Sequence, residues 1–333
     1  MPNSKKYLYW LPVTCFLFIS SLHHSGAYAW SETRQRDPQT IDGQGFAANE
    51  KNPQGQDNHR MIATPAIWKM TDEDSEVWLL GTYHILPPDI NWRSSPVARA
   101  IDTAESVYLE ADVDSQGAQF SMLRAMVAHG FQKRGSKLSD DLTVQQVVDL
   151  KRICRELNLS FKAIDDMRPW NAYLTLTVQF VVKRGFDPKG GVDAAISRDA
   201  KAKGLKLNYF ETAEEQISIF ADLPKEIELS LITRTIDEWE KLSDEFDTLF
   251  DAWQTGNIVA MDQLINETLR DTAPELFEAI LIRRNENWVK ELSELMKGEG
   301  KTLIAVGAGH LVGSKSVITL LQEKGFHIER IKQ

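Results

Sequence analysis

The chain has 333 residues, 42% of them hydrophobic and 26% charged, which suffices for one large domain or two average ones with a full core. Its formal charge of −10 comes with no basic run beyond Lys5-Lys6. That balance argues against a surface that tracks phosphates, so no nucleic-acid partner is expected.

The first 29 residues read as a secretory signal peptide. Lys5 and Lys6 form a short positive region, Tyr7 to Leu22 is mostly apolar, and Ala27-Tyr28-Ala29 is an A-x-A cleavage signature. Cleavage before Trp30 predicts an exported protein, periplasmic or secreted. Tyr7 to Leu22 is interrupted by Pro12 and is short of the roughly 20 apolar residues a spanning helix needs. No later segment could span a bilayer, so the mature chain is expected to lack a transmembrane segment. Cys154 is then the only cysteine left, which excludes an internal disulfide. It falls in a helical pattern and reads as a small buried hydrophobe. Residues 30–59 are rich in Gln, Asn, Gly, Asp and Pro and bury too little apolar surface to offset their ordering entropy, so they read as a disordered leader.

The folded domain is expected over residues 60–333. Ala66 to Met70 and Val77 to Leu80 read as a hairpin. The second of these runs delivers Gly81-Thr82-Tyr83-His84, and Pro87-Pro88 then forbids an immediate helix. A helix over Pro96 to Glu105 leads to a third strand, Ser106 to Asp112, that carries Glu110. Strand, helix, strand at this spacing is a βαβ unit with a parallel pair, which places Glu110 beside His84. Helical patterns then dominate: Ala118 to Gly130, Thr143 to Leu157, Pro169 to Arg184, Gly191 to Gly204, Pro224 to Phe250, Ile258 to Leu269 and Pro274 to Lys297. Leu205 to Phe210 alone reads as a strand there. The chain closes with Thr302 to Val306 as strand, Ser314 to Lys324 as helix and Phe326 to Ile331 as strand, a second βαβ unit. The fold class is therefore α/β: two βαβ units in a mixed, largely parallel sheet, with a helical insertion over about 117–298 acting as a cap.

The run Thr302 to Val306 followed by Gly307-Ala308-Gly309-His310 reads as a strand buried on both faces at the centre of a parallel sheet. It repeats the Gly-x-x-His of residues 81–84. In open α/β sheets the ligand site lies outside the carboxyl ends of the strands, so two such strands aim two imidazoles at one crevice. Two histidines and a strand-end glutamate that leave a position open form the ligand set of catalytic zinc sites and suit other divalent metals. Water acidified by such a metal attacks carbonyl or phosphoryl centres. A rival reading takes Gly307 to Gly313 as a degenerate dinucleotide fingerprint. The first copy keeps the histidine and loses the extra glycines, so the histidine is the shared element.

Gly81-Thr82-Tyr83-His84, Leu109-Glu110-Ala111-Asp112, Gly191-Val192-Asp193, Phe210-Glu211-Thr212-Ala213-Glu214-Glu215-Gln216, Arg284-Asn285-Glu286-Asn287-Trp288 and Val306-Gly307-Ala308-Gly309-His310-Leu311 together resemble the TraB/GumN family. That family includes the Tiki-type membrane-associated proteases and is related more distantly to the erythromycin-esterase and ChaN-like proteins. The resemblance spans about Met61 to Ile331. It implies a divalent-metal hydrolase centre with His84, His310 and Glu110 as ligands, and with Glu110, Arg284 and Asn285 as catalytic residues, the last two facing the site from their helix. The ion would be zinc, manganese or cobalt, and the partner a peptide or protein substrate. Arg284 also shares a helix face with Leu276, Ile280 and Trp288, where a buried arginine needs an anionic partner such as Glu110 or a reacting oxyanion. Asp193 and Glu211 read equally well as helix caps or as functional carboxylates. The alternative to an exported metal-dependent hydrolase is a non-catalytic exported protein that holds a peptide or small ligand in the same crevice.

Overall fold

The computed structural model describes residues 61–112 and 114–332. The expected signal peptide and the leader lie outside these residues. A single six-stranded sheet organises the rest: β1 (Ile67–Thr71), β2 (Ser75–Thr82), β3 (Ser106–Ala111), β4 (Lys206–Glu211), β5 (Gly300–Gly307) and β6 (Ile328–Arg330), in the order β4-β3-β5-β2-β1-β6. β1 pairs antiparallel with β2 and with β6, while β2, β5, β3 and β4 run parallel. The sheet is mixed and largely parallel, and the fold is α/β.

The strand order departs from the expected neighbours. β5 inserts between β2 and β3, so the two strands of the first βαβ unit are not paired with each other. In the second unit β5 and β6 are separated by β2 and β1. The composition of β5 explains its place. Leu303, Ile304, Ala305 and Val306 are all buried, and a strand apolar on both faces belongs inside a sheet covered by helices. Three consecutive strand ends thus carry the Glu110, His310 and His84 segments in that spatial order.

Around the sheet lie α1 (Ser95–Thr103), α2 (Gln116–His129), α3 (Val144–Glu156), α4 (Phe161–Asp165), α5 (Pro169–Lys183), α6 (Val192–Lys203), α7 (Ala213–Ala221), α8 (Lys225–Asp237), α9 (Leu242–Gln254), α10 (residues 258–272), α11 (residues 274–295) and α12 (Val317–Glu323). Most follow their sequence signals: Thr143 caps α3 through a reciprocal bond with Gln146, and Pro169 opens α5. α5 is apolar almost all round, with Trp170, Tyr173, Leu176, Val178 and Val181 buried, and forms the centre of the insertion. The long helix expected over Pro224 to Phe250 is instead two, α8 and α9, separated by a 3-10 turn at Trp239–Lys241. Trp239 is buried there, donates to Glu156 Oε2 at 3.0 Å and packs edge-on against Phe180. Tertiary anchoring, with no proline or glycine, turns the chain. α7 was not expected; the capping box of Thr212 and Glu215 starts it. The insertion is more than a cap, since it contributes edge strand β4 to the sheet.

Cys154 is buried and unpaired, and burial pushes its thiol up to about 11, which makes it unreactive at neutral pH. Among the described residues no helix is long and apolar enough to cross a membrane.

Glu245 on α9 is 2% exposed and its Oε1 has no hydrogen-bond partner among the described residues. Burial, reinforced by Glu238, pushes its carboxyl up from 4.5 to about 8. The folded protein keeps this proton where the unfolded chain has lost it, so the group costs stability progressively as pH rises from about 4.5 to about 8 and by a constant amount above that. Glu245→Gln should leave the melting temperature unchanged near pH 4 and raise it by several degrees at pH 8.5, at roughly 2–4 °C per kcal/mol. Parallel melting curves for the two proteins across that range would show that the burial penalty is not carried by this carboxyl.

Candidate functional site

The site is built where β3, β5 and β2 end. Glu110 is the penultimate residue of β3, His84 follows β2 by two residues, and His310 sits in a 3-10 turn, Ala308–Leu311, that closes β5. All three are buried, His310 completely. Both imidazoles direct Nε2 at one atom, Glu110 Oε1, at 3.9 Å in each case. The two rings therefore lie on the same side of the sheet and well within reach of a common partner. Gly81 permits the close packing of the two Gly-x-x-His turns, because a Cβ there would lie 2.9 Å from Ala308 Cβ. Tyr83 points away into the core against Phe246, Phe250 and Trp253.

The two histidines have different surroundings. His84 Nδ1 donates to Asp193 Oδ1 at 2.8 Å, and its Nε2 is buried with no hydrogen-bond partner among the described residues. Burial alone would lower its pKa, but the charge and hydrogen bond of Asp193, together with Glu110, outweigh it and the net shift is upward. His310 is fixed at both nitrogens by groups with unambiguous roles. Arg284 can only donate, so Nε2 accepts from Nη1 at 3.0 Å, and Nδ1–H donates to Asn285 Oδ1 at 2.5 Å. Asn285 is held in turn by Nδ2 donating to Lys315 O at 2.8 Å. Burial, then the Arg284 charge, then His84 hold His310 well below the usual histidine range, so it is neutral.

Arg284 lies at the centre of the site. Its Nε and Nη2 donate to Glu211 at 2.7 and 2.9 Å, Nη2 to Glu110 Oε2 at 2.6 Å, and Nη1 to Ile280 O at 3.1 Å and to His310. All five guanidinium donors are engaged, which is how a cation only 5% exposed is tolerated. Burial disfavours its charge, and Glu211 and Glu110 reverse that, so it holds its proton more tightly than an ordinary arginine. Trp288, one helical turn on, stacks against the guanidinium, against His310 and against Phe210, and donates to Glu211 Oε1 at 3.1 Å. Glu110 Oε1 accepts from the Gly307 amide at 2.6 Å and Oε2 from Gln216 at 3.3 Å. The two residues left open between cap and function contact the site: Asp193 holds His84, and Glu211 holds Arg284. Asn285 contacts the site through His310.

Gly191 explains how Asp193 reaches His84. A Cβ at Gly191 would lie 2.1 Å from the His84 carbonyl oxygen, so only glycine lets the start of α6 come this close. The Val192 amide then donates to Tyr83 O at 3.0 Å. Gln216 and Trp288 were not singled out as site residues. The Thr212-x-x-Glu215 capping box was the available signal for Gln216, since it places that residue on the first turn of a helix leaving the sheet edge.

Residues 66–330 match the family model described as the TraB/PrgY/gumN family. The chain belongs to that family. It is similar to the uncharacterised protein YbaP of Escherichia coli, 24% identical over 78% of this chain and 92% of that one, and to YbaP of Shigella flexneri, 24% identical over 73% and 87%. An uncharacterised protein of Methanocaldococcus jannaschii is 25% identical over 51% of this chain and 40% of its own length. No solved structure matches.

The divalent ion that the TraB/PrgY/gumN resemblance implies can be weighed against these contacts. His84 Nε2 is an unpartnered buried lone pair opposite a carboxylate oxygen, with a carboxylate behind its other nitrogen, the arrangement metal-bound histidines favour. Glu110 and Glu211 face one guanidinium while Asp193 faces His84, an excess of carboxylates over Arg284 that a protonated His84 or a bound cation balances. His84 and Glu110 are the residues that would hold such an ion. His310 does not share it while its Nε2 accepts from Arg284, and among the described residues no group of three His, Cys, Asp or Glu is arranged for a metal.

Arg284→Met should leave Glu110 and Glu211 buried without their cation and destabilise the fold by about 3–5 kcal/mol. The urea midpoint measures this, and an unchanged midpoint would mean that the network contributes nothing to folding.

Proposed function

We propose that the protein is an exported, metal-dependent hydrolase acting on peptide bonds, whose working atom is His84 Nε2. The observation that carries the reading is that this nitrogen is buried, lacks a hydrogen-bond partner among the described residues and faces Glu110 in a crevice of about 390 Å³, open mouth included, lined also by Asp193, Ser197, Tyr209 and Gln216. A buried polar atom left unsatisfied is costly, and the space beside it admits about one water. Asp193 fixes the tautomer that turns the Nε2 lone pair inward and increases its basicity. The Gly307 amide and Arg284 hold the Glu110 carboxylate rigid, with Oε1 toward the crevice. A divalent ion held by His84 and Glu110 would supply acidified water and polarise a carbonyl oxygen. Arg284 has no donor to spare for an oxyanion, so it supports developing negative charge through its field in a site of low dielectric.

The test is mass-spectrometric detection of cleavage in a diverse peptide library, using the whole protein with zinc, manganese or cobalt and again with chelator. Chelator-sensitive cleavage is expected. Asp193→Asn should lower metal affinity or activity by about 10–100-fold with little change in melting temperature. One observation favours a second route. With His310 held by Arg284, only two protein ligands remain, and chelator-resistant cleavage would assign Nε2 to taking the proton from water directly. Absence of cleavage together with no thermal stabilisation by any of the three metals would favour the non-catalytic binding protein instead.

A further inference from the structure

Apart from His129, Arg124 is the only ionisable residue on α2 (Gln116–His129), and the helix is apolar on two opposite faces. Met122 and Ala125 are buried where α2 packs against α7. Phe120, Leu123 and Val127 follow i, i+3, i+7 spacing on the other face. Phe120 is 68% and Val127 62% exposed, with Leu123 half-buried between them, and Phe131, just past the C-cap Gly130, is 44% exposed. A helix apolar all round belongs between two covers, and the fold supplies one.

The charge around this stripe is opposite to that of the whole chain. Residues 115–139 contain Arg124, Lys133, Arg134 and Lys137 and no Asp or Glu, in a protein of net charge −10. Arg124 is paired with Glu214 at 3.1 Å, and Lys137 is paired with Asp166. Lys133 and Arg134, exposed just beyond Phe131, have no ion-pair partner among the described residues. A symmetric contact with a second copy would set these two cations against their own images. Aromatic and aliphatic side chains flanked by free cations are instead the pattern by which a helix lies in the headgroup layer of an anionic bilayer. The inner side of α2 borders the site: Ser115, Ala118 and Ser121 line a cavity of about 850 Å³, open mouth included, and its Tyr209 wall also lines the His84 crevice.

We propose that α2 and the turn after it dock the protein on the surface of an anionic phospholipid bilayer. Phe120, Val127 and Phe131 enter the headgroup layer, and Lys133 and Arg134 meet lipid phosphates. Docking in this way sets the cavity beside Tyr209 about 10 Å from the lipid, the diameter of one helix. The inference stands without the hydrolytic reading, since none of the docking residues belongs to the His84 crevice.

Flotation with vesicles of equimolar phosphatidylglycerol and phosphatidylcholine tests it. The chain from Trp30 onward is used, because it keeps every described residue and omits the apolar residues 7–22, which would bind lipid themselves. Binding to these vesicles is expected, and binding at least tenfold weaker to phosphatidylcholine alone. The double variants Phe120→Ser, Val127→Ser and Lys133→Glu, Arg134→Glu alter only exposed positions, and each should weaken binding at least tenfold. A polarity-sensitive dye on Val127→Cys should shift its emission to the blue on the anionic vesicles. The same dye on Val259→Cys should not, since Val259 is equally exposed but lies beside Trp68, toward the other edge of the sheet. Cys154 is buried and does not compete for the label. No flotation, equal binding to both kinds of vesicle, wild-type binding by either double variant, or dimerisation that the Phe120→Ser, Val127→Ser variant abolishes would overturn the proposal.

Discussion

A single buried guanidinium ties the molecule together. Arg284, on α11, reaches Glu110 at the end of β3, Glu211 at the end of β4 and His310 in the turn after β5. An arginine cannot shed its proton, so once it is buried every donor must find an acceptor and its charge must be met by carboxylates. The fold supplies both from elements nearly two hundred residues apart in sequence. Trp288 adds a face below the guanidinium and simultaneously fixes the His310 ring and the Glu211 carboxylate. The positions of two strand ends, one helix and one turn are therefore coupled through one side chain.

That constraint breaks the equivalence of the two Gly-x-x-His motifs. The motifs are alike in sequence and in their place at parallel strand ends, yet Arg284 donates to one histidine and Asp193 accepts from the other. One imidazole is driven below its ordinary pKa and the other above it. His310 serves as a neutral fixed strut, and His84 keeps the open nitrogen.

Hydrophobic period and strand-end glycines made the strands, their parallel direction and the convergence of Glu110, His84 and His310 on one end of the sheet readable from sequence alone. Strand order was less so. The apolar run of β5 announced a central strand, but which two strands it would separate depends on long-range packing that leaves no local mark. The break at Trp239 belongs to the same class, because the residues that turn the chain are Glu156 and Phe180. Arg284 could be inferred to need an anion, since it shares a helix face with core residues. That Glu211 would be its second, two-point partner, that Asp193 would back His84, and that π-helical turns would interrupt α10 and α11 all depend on how the insertion packs.

The insertion contributes half of the site. The two βαβ units provide His84, Glu110 and His310, and most of what holds these groups, Asp193, Glu211, Gln216, Arg284 and Asn285, comes from residues between β3 and β5, with the Gly307 amide of β5 as the exception. The constellation exists only when the insertion is seated. Its seating depends on close approaches such as Gly191 against the His84 carbonyl, where no side chain fits. Asn285 extends the dependence outward, because it holds His310 on one side and lines a cavity walled by α10 and α11 on the other. Packing changes in α11 therefore bear on His310 through three of its side chains, Asn285, Arg284 and Trp288.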